Sequence, residues 1–142
     1  MFDPRGYSCV SLPFWPSCGT APSHVSTELA RFEAEPRTTV AELDAVLPVG
    51  QDPDEMQLVT IVRLCAWVHS EWVRIHLLAN GNGRTARVWA NWVALRYGLP
   101  PFIRLRPRPD GGYEDAAARA RGNWMPTSDV FLQMLKEFMD TK

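Results

Sequence analysis

A histidine, two asparagines, two glycines and two arginines fall within the segment His76-Leu77-Leu78-Ala79-Asn80-Gly81-Asn82-Gly83-Arg84-Thr85-Ala86-Arg87. These types describe an anion site with a proton acceptor beside it. Glycine lets the backbone take positive φ and lets a ligand approach closely. The unpaired amides at a helix start, together with the helix dipole, favour negative charge. Arg84 and Arg87 are three apart and can share one side of a first helical turn, where guanidinium forks match phosphate oxygens. His76 supplies an imidazole, the side chain best suited to take a proton near neutrality.

Simpler readings compete. A plain corner between two helices needs the glycines, but not the histidine, an asparagine and both arginines as well. A dinucleotide fingerprint matches Gly81 to Ala86 as G-x-G-x-x-A, yet it requires a preceding strand and an acid about 20 residues on. The segment before Gly81 reads as helix, and no Asp or Glu stands between Arg84 and Pro109. A P-loop needs Lys and then Ser or Thr after its final glycine, which Arg84-Thr85 does not supply.

The elements that must position this segment read as helices. Met56 to Ile75 runs without Gly or Pro, and its apolar residues cover most of the helical wheel, as in a helix buried at the centre of a domain. Asp54 and Glu55 precede it, where a first turn favours negative charge. A second helix runs from about Asn82 to Tyr97 and stops at Gly98, with Pro100 beyond. Val25 to Glu35 is a short amphipathic candidate ending before Pro36. Thr39 with Glu42 reads as a capping box opening a helix through Leu47. Leu47 to Asp54 and Arg104 to Gly112 read as loops. Two further helices are expected near Tyr113 to Arg121 and Ser128 to Met139. Nothing alternates as a strand, so the expected class is all-α.

The 142 residues suffice for one domain with a real core. At 46% apolar and 22% charged, with a net charge of -1, the composition gives no reason to expect nucleic acid or membrane as a partner. Three cysteines are too few for a disulfide scaffold, and Cys65 reads as a small core residue. No basic leader or stretch of roughly 20 apolar residues is present. A soluble, cytoplasmic protein is expected. Residues 1–25, with Pro4, Pro13, Pro16 and Pro22, read as an irregular arm before a helical domain over 26–142. Cys9, Cys18 and His24 lack the close pairing typical of zinc sites.

At the central segment the chain resembles the Fic (Fic/Doc) family, whose signature H-P-F-x-[D/E]-G-N-G-R-x-x-R stands here as H-L-L-A-N-G-N-G-R-T-A-R. The resemblance extends to Val73-Arg74-Ile75, to Arg96-Tyr97-Gly98-Leu99-Pro100-Pro101 and to Tyr113-Glu114-Asp115-Ala116, and covers roughly Leu29 to Phe138. It implies a Fic-type helical domain with protein adenylyltransferase-like activity, moving AMP from ATP to a Ser, Thr or Tyr hydroxyl of a target protein. By the same resemblance His76 is the general base. Gly81, Asn82 and Gly83 form an anion hole, Arg84 binds the phosphates further, and Arg87 contacts the terminal phosphate.

The departures carry their own implications. Asn80 stands where the family has an acid holding Mg²⁺. An amide oxygen brings no charge, so Mg²⁺ or Mn²⁺ should bind weakly there. The chain then reads as an enzyme with altered metal use, one with a different donor, or a nucleotide- or protein-binding relative that has lost turnover. Transfer of another phosphate-containing group stays open. Leu77 and Leu78 replace Pro and Phe, and Leu78 is expected to anchor the loop by apolar burial. The family's inhibitory string [S/T]-x-x-x-E-[G/N] is absent, so inhibition either comes from a separate antitoxin-like protein or does not occur.

Among the other features, His69 reads as a packed helix residue, and Trp67, Trp72, Trp89 and Trp92 as core. Arg96, Arg104, Arg106 and Arg108 read as a solvated basic face in preference to a nucleic-acid surface.

Overall fold

The computed structural model describes residues 7–8, 19–110, 112–119 and 123–142. Among the described residues there are six α-helices, α1 (Val25–Ala34), α2 (Arg37–Val46), α3 (Glu55–Ile75), α4 (Asn82–Arg96), α5 (Tyr113–Arg119) and α6 (Met125–Asp140), with a 3-10 turn (Pro22–His24) leading into the first. The class is all-α, as the sequence predicts. One two-residue ladder joins β1 (Tyr7–Ser8) to β2 (Gly19–Thr20), antiparallel, with Tyr7 opposite Thr20. Most of the arm expected over residues 1–25, Cys9 and Cys18 included, lies outside the described residues.

α3 is the axis of the domain. It packs chiefly against α4 and then α6, with α1 along another side. Ile61, Val62, Cys65, Ala66 and Ile75 of α3 are fully buried, with Ala86, Ala90 and Ala94 of α4 and Phe131 of α6 facing them. The alanines let the two central helices approach closely. Each large aliphatic side chain so buried contributes roughly 1.5–3 kcal/mol. Cys65 is a core residue with a free thiol that burial pushes far up.

The ends of α3 and α4 are made by local chemistry. Asp54 caps α3: its carboxylate accepts from Gln57 N at 2.8 Å, and the Gln57 side chain accepts from Asp54 N at 2.9 Å. α4 ends in a paired C-terminal turn. Gly98 takes φ +77°, its N–H bonds to Leu95 O at 3.2 Å, and Leu99 N bonds to Ala94 O at 3.0 Å.

Two helix starts differ from the sequence reading. α2 begins at Arg37, not at a Thr39 cap. Pro36 already holds φ -77° and receives the first bond, from Val40 N at 2.9 Å, which leaves Thr39 inside the first turn. α6 begins at Met125, three residues before Ser128. Pro126 starts the helix instead of breaking it, because a first-turn residue has no intrahelical use for its N–H.

No helix among the described residues is long and apolar enough to cross a membrane.

Candidate functional site

His76 closes α3 in the left-handed conformation, φ 53° and ψ 47°, and is the one non-glycine residue at positive φ among those described. An L residue there costs roughly 1–2 kcal/mol, so the surrounding chain must hold it. Its N–H still bonds to Trp72 O at 3.2 Å. Its ring is half-buried and has no hydrogen-bond partner among the described residues.

Residues 76–81 then turn the chain into α4. The turn is closed by Asn82, whose buried side chain bonds both backbone groups of one residue. Leu78 N donates to Asn82 Oδ1 at 2.9 Å, and Asn82 Nδ2 donates to Leu78 O at 2.6 Å. The expected anchoring by Leu78 burial does not occur: that side chain is 37% exposed. A leucine lacks the reach of the phenylalanine it replaces, and the hydrogen-bonded amide does the holding. The Asn82 side chain therefore faces the loop, leaving its N–H for a ligand.

Gly81 at φ +90° stands at the N-cap of α4, with no side-chain cap and no acid in the first turn. The first bond of the helix is Thr85 N to Gly81 O at 2.9 Å. The amides of Asn82, Gly83 and Arg84 thus open the helix without intrahelical partners. Arg84 is exposed and has no partner among the described residues.

Arg87 lies beneath this turn and is only 6% exposed. Its Nη1 donates to the Tyr113 hydroxyl at 3.1 Å and its Nη2 to Leu105 O at 3.0 Å, while Nε has no partner. A side-chain carbon placed on Gly83 would sit 3.6 Å from Arg87 Nη1. No carboxylate of the described residues pairs with it. The segment that presents Leu105 is fixed by Asn91, which donates to Ile103 O at 2.7 Å and accepts from Ile103 N at 3.1 Å.

Behind Arg87 stands a residue pair whose part at the site the sequence reading missed. His69 Nε2 is 2.7 Å from the Tyr113 hydroxyl oxygen. His69 is fully buried, as expected of a packed residue. Burial, and after it the Arg87 charge, hold its imidazole down to about 3, so it is neutral. Burial also pushes the Tyr113 hydroxyl up, against the pull of Arg87. Tyr113 opens α5, 26 residues beyond Arg87. The last turn of α3 is braced too: Arg74 pairs with Glu71 at 2.8 Å and with Glu28 of α1.

The donors at this loop do not fit a resident divalent ion. Asn80 is exposed and offers a neutral amide oxygen, Glu71 and Glu28 face Arg74, and no group of three or more His, Cys, Asp or Glu able to hold a metal occurs among the described residues.

Arg96 pairs with Asp44 at 2.7 Å, Arg104 with Asp110 at 3.2 Å and Arg108 with Glu114 at 2.9 Å, so much of the basic face is neutralised by acids from outside that stretch. Trp67, Trp72 and Trp89 gather around Phe32 of α1, at ring distances of 5.5–5.9 Å. Trp92 is not core: it is 54% exposed at the edge of that cluster, because α4 turns this face outward with Val88 and Leu95. A groove of about 530 Å³ between α6 and residues 102–110 includes no residue of the 76–87 segment.

A 42-residue stretch, 30% of the chain, is 45% identical to the Protein adenylyltransferase Fic of Culex quinquefasciatus. The match spans only 8% of that protein's length. No solved structure matches. The model of the Fic/DOC family matches residues 17–94, more than half of the chain and including the whole His76 to Arg87 segment. The chain belongs to the Fic/DOC family.

Proposed function

We propose that this chain transfers AMP from ATP to a Ser, Thr or Tyr hydroxyl of a target protein. Arg87 supports this most strongly, as a buried guanidinium beneath Gly83 with no carboxylate against it. A charge out of water without a counter-ion is costly. An anion held at the uncapped start of α4 offsets that cost, and a corner without a ligand has no use for it.

In the reaction His76 takes the proton of the target hydroxyl, whose oxygen bonds to the α-phosphorus. The bond from that phosphorus to the α,β-bridging oxygen breaks, and pyrophosphate leaves. The amides opening α4 and Arg84 face the phosphates from one side and Arg87 from beneath. The protein's contribution is positioning and charge stabilisation. The name of the partly matching relative supports AMP as the transferred group. His76→Ala should abolish transfer and leave the unfolding temperature unchanged; undiminished transfer would remove His76 from the role.

Asn80 favours a second reading, nucleotide binding without turnover, because no carboxylate stands at that position. ATP binding with no transfer under any metal condition would establish it.

A further inference from the structure

Arg87 is held without being neutralised. Its guanidinium touches a hydroxyl, a carbonyl and, at 5.5 Å, the face of the Tyr113 ring, and none of these carries a formal charge. We propose that Tyr113, fixed in turn by His69, is a positioning residue that sets the Arg87 guanidinium toward the terminal phosphate of the nucleotide while leaving its charge available. The proposal rests on the nucleotide reading of the loop.

Arginine only donates hydrogen bonds, so the Tyr113 oxygen accepts from Nη1. The same oxygen is 2.7 Å from His69 Nε2, so it is pinned between the imidazole of α3 and the guanidinium of α4. His69 is itself wedged edge-on between Tyr113 and Phe131, at ring distances of 5.4 Å. A carboxylate in the place of the hydroxyl would hold Arg87 more tightly and cancel the charge that the phosphate needs. A phenyl ring would keep the packing and lose the hold. The neutral hydroxyl is the group that orients without cancelling, and a neutral histidine behind it adds no competing charge. Such fixed, ready-oriented charge needs no reorganisation when ligand arrives.

The test is calorimetric binding of ATP and of AMP to the wild-type protein and to Tyr113→Phe. AMP lacks the phosphates that Arg87 is proposed to meet. In Tyr113→Phe the affinity for ATP should fall about tenfold or more, the scale of a hydrogen bond to a charged group, while AMP binding stays within about twofold. Should that variant fail to fold, His69→Leu, which removes the support behind the hydroxyl, takes its place with the same expected split. Equal losses for ATP and AMP would indicate general loosening of the fold and overturn the proposal, as would no loss for either. Failure of the wild-type protein to bind either nucleotide would overturn the nucleotide reading itself, and the proposal with it.

Discussion

Asn82 and Leu78 pair through two opposed hydrogen bonds, of 2.9 and 2.6 Å, so one side-chain amide closes the turn between the two central helices. This contact gives the loop a fixed shape although both leucines ahead of it, Leu77 and Leu78, keep more than a third of their surface in solvent. Asn82→Ala removes both bonds and leaves the Leu78 backbone groups to seek water. A loss of about 1–3 kcal/mol in stability is expected in urea unfolding, with a larger proportional loss of nucleotide affinity, because the turn carries His76 at one end and Gly81 at the other.

Gly83 and Gly81 should respond oppositely to alanine. Gly83 is within α4, is not at positive φ, and has room for a methyl group at 3.6 Å from Arg87 Nη1. Gly83→Ala is expected to fold and to gain up to about 1 kcal/mol of stability, yet to lose nucleotide affinity where the backbone needs close approach. Gly81 stands at φ +90°, so Gly81→Ala should destabilise by about 1 kcal/mol. Titration with ATP beside thermal unfolding separates the two effects. Unimpaired ATP binding in Gly83→Ala would argue against phosphate contact there.

Much of this arrangement is legible in residue types. The unbroken apolar run of α3, the glycines at 81 and 98, and the arginines at 84 and 87 announce a central helix, a tight turn, a stop and an anion site. Helix starts are harder: α6 begins at Met125, ahead of the expected Ser128, with Pro126 in its first turn, and Asp54 with Gln57 forms a capping box that charge alone does not reveal. The contacts of Arg87 were out of reach for a different reason. Tyr113 and Leu105 come to it from 26 and 18 residues later in the chain, across contacts that only tertiary packing creates. The direction of the Asn82 side chain likewise follows from loop geometry that no local pattern encodes.

His69 makes stability depend on pH in a defined window. Its folded-state value, held down to about 3, lies below the ordinary histidine value of 6.5. The unfolded chain therefore takes up a proton that the folded chain refuses, and the stability is fully present above about pH 6.5 and lost as pH falls toward 3. The slope from this group is at most about 1.4 kcal/mol per pH unit. Urea unfolding at pH 7, 6 and 5, before most carboxylates titrate, should show that slope in the wild-type protein and its absence in His69→Gln. Parallel curves for the two would contradict the assignment.

Asn80 offers a gain-of-function test. An aspartate at that position adds a charged oxygen ligand of the kind Mg²⁺ prefers. Asn80→Asp should raise Mg²⁺-dependent transfer about tenfold or more over the wild-type rate, with the increment abolished by chelator. Equal rates in the two proteins would clear Asn80 of limiting the reaction.

The central claim is tested most directly by incubating the chain with a cell lysate and ATP labelled at either the α- or the γ-phosphate, with Mg²⁺ or Mn²⁺ and His76→Ala alongside. AMP transfer predicts label on protein from the α-position alone, lost in His76→Ala. Label from the γ-position, or none from either while the protein remains folded, would contradict it.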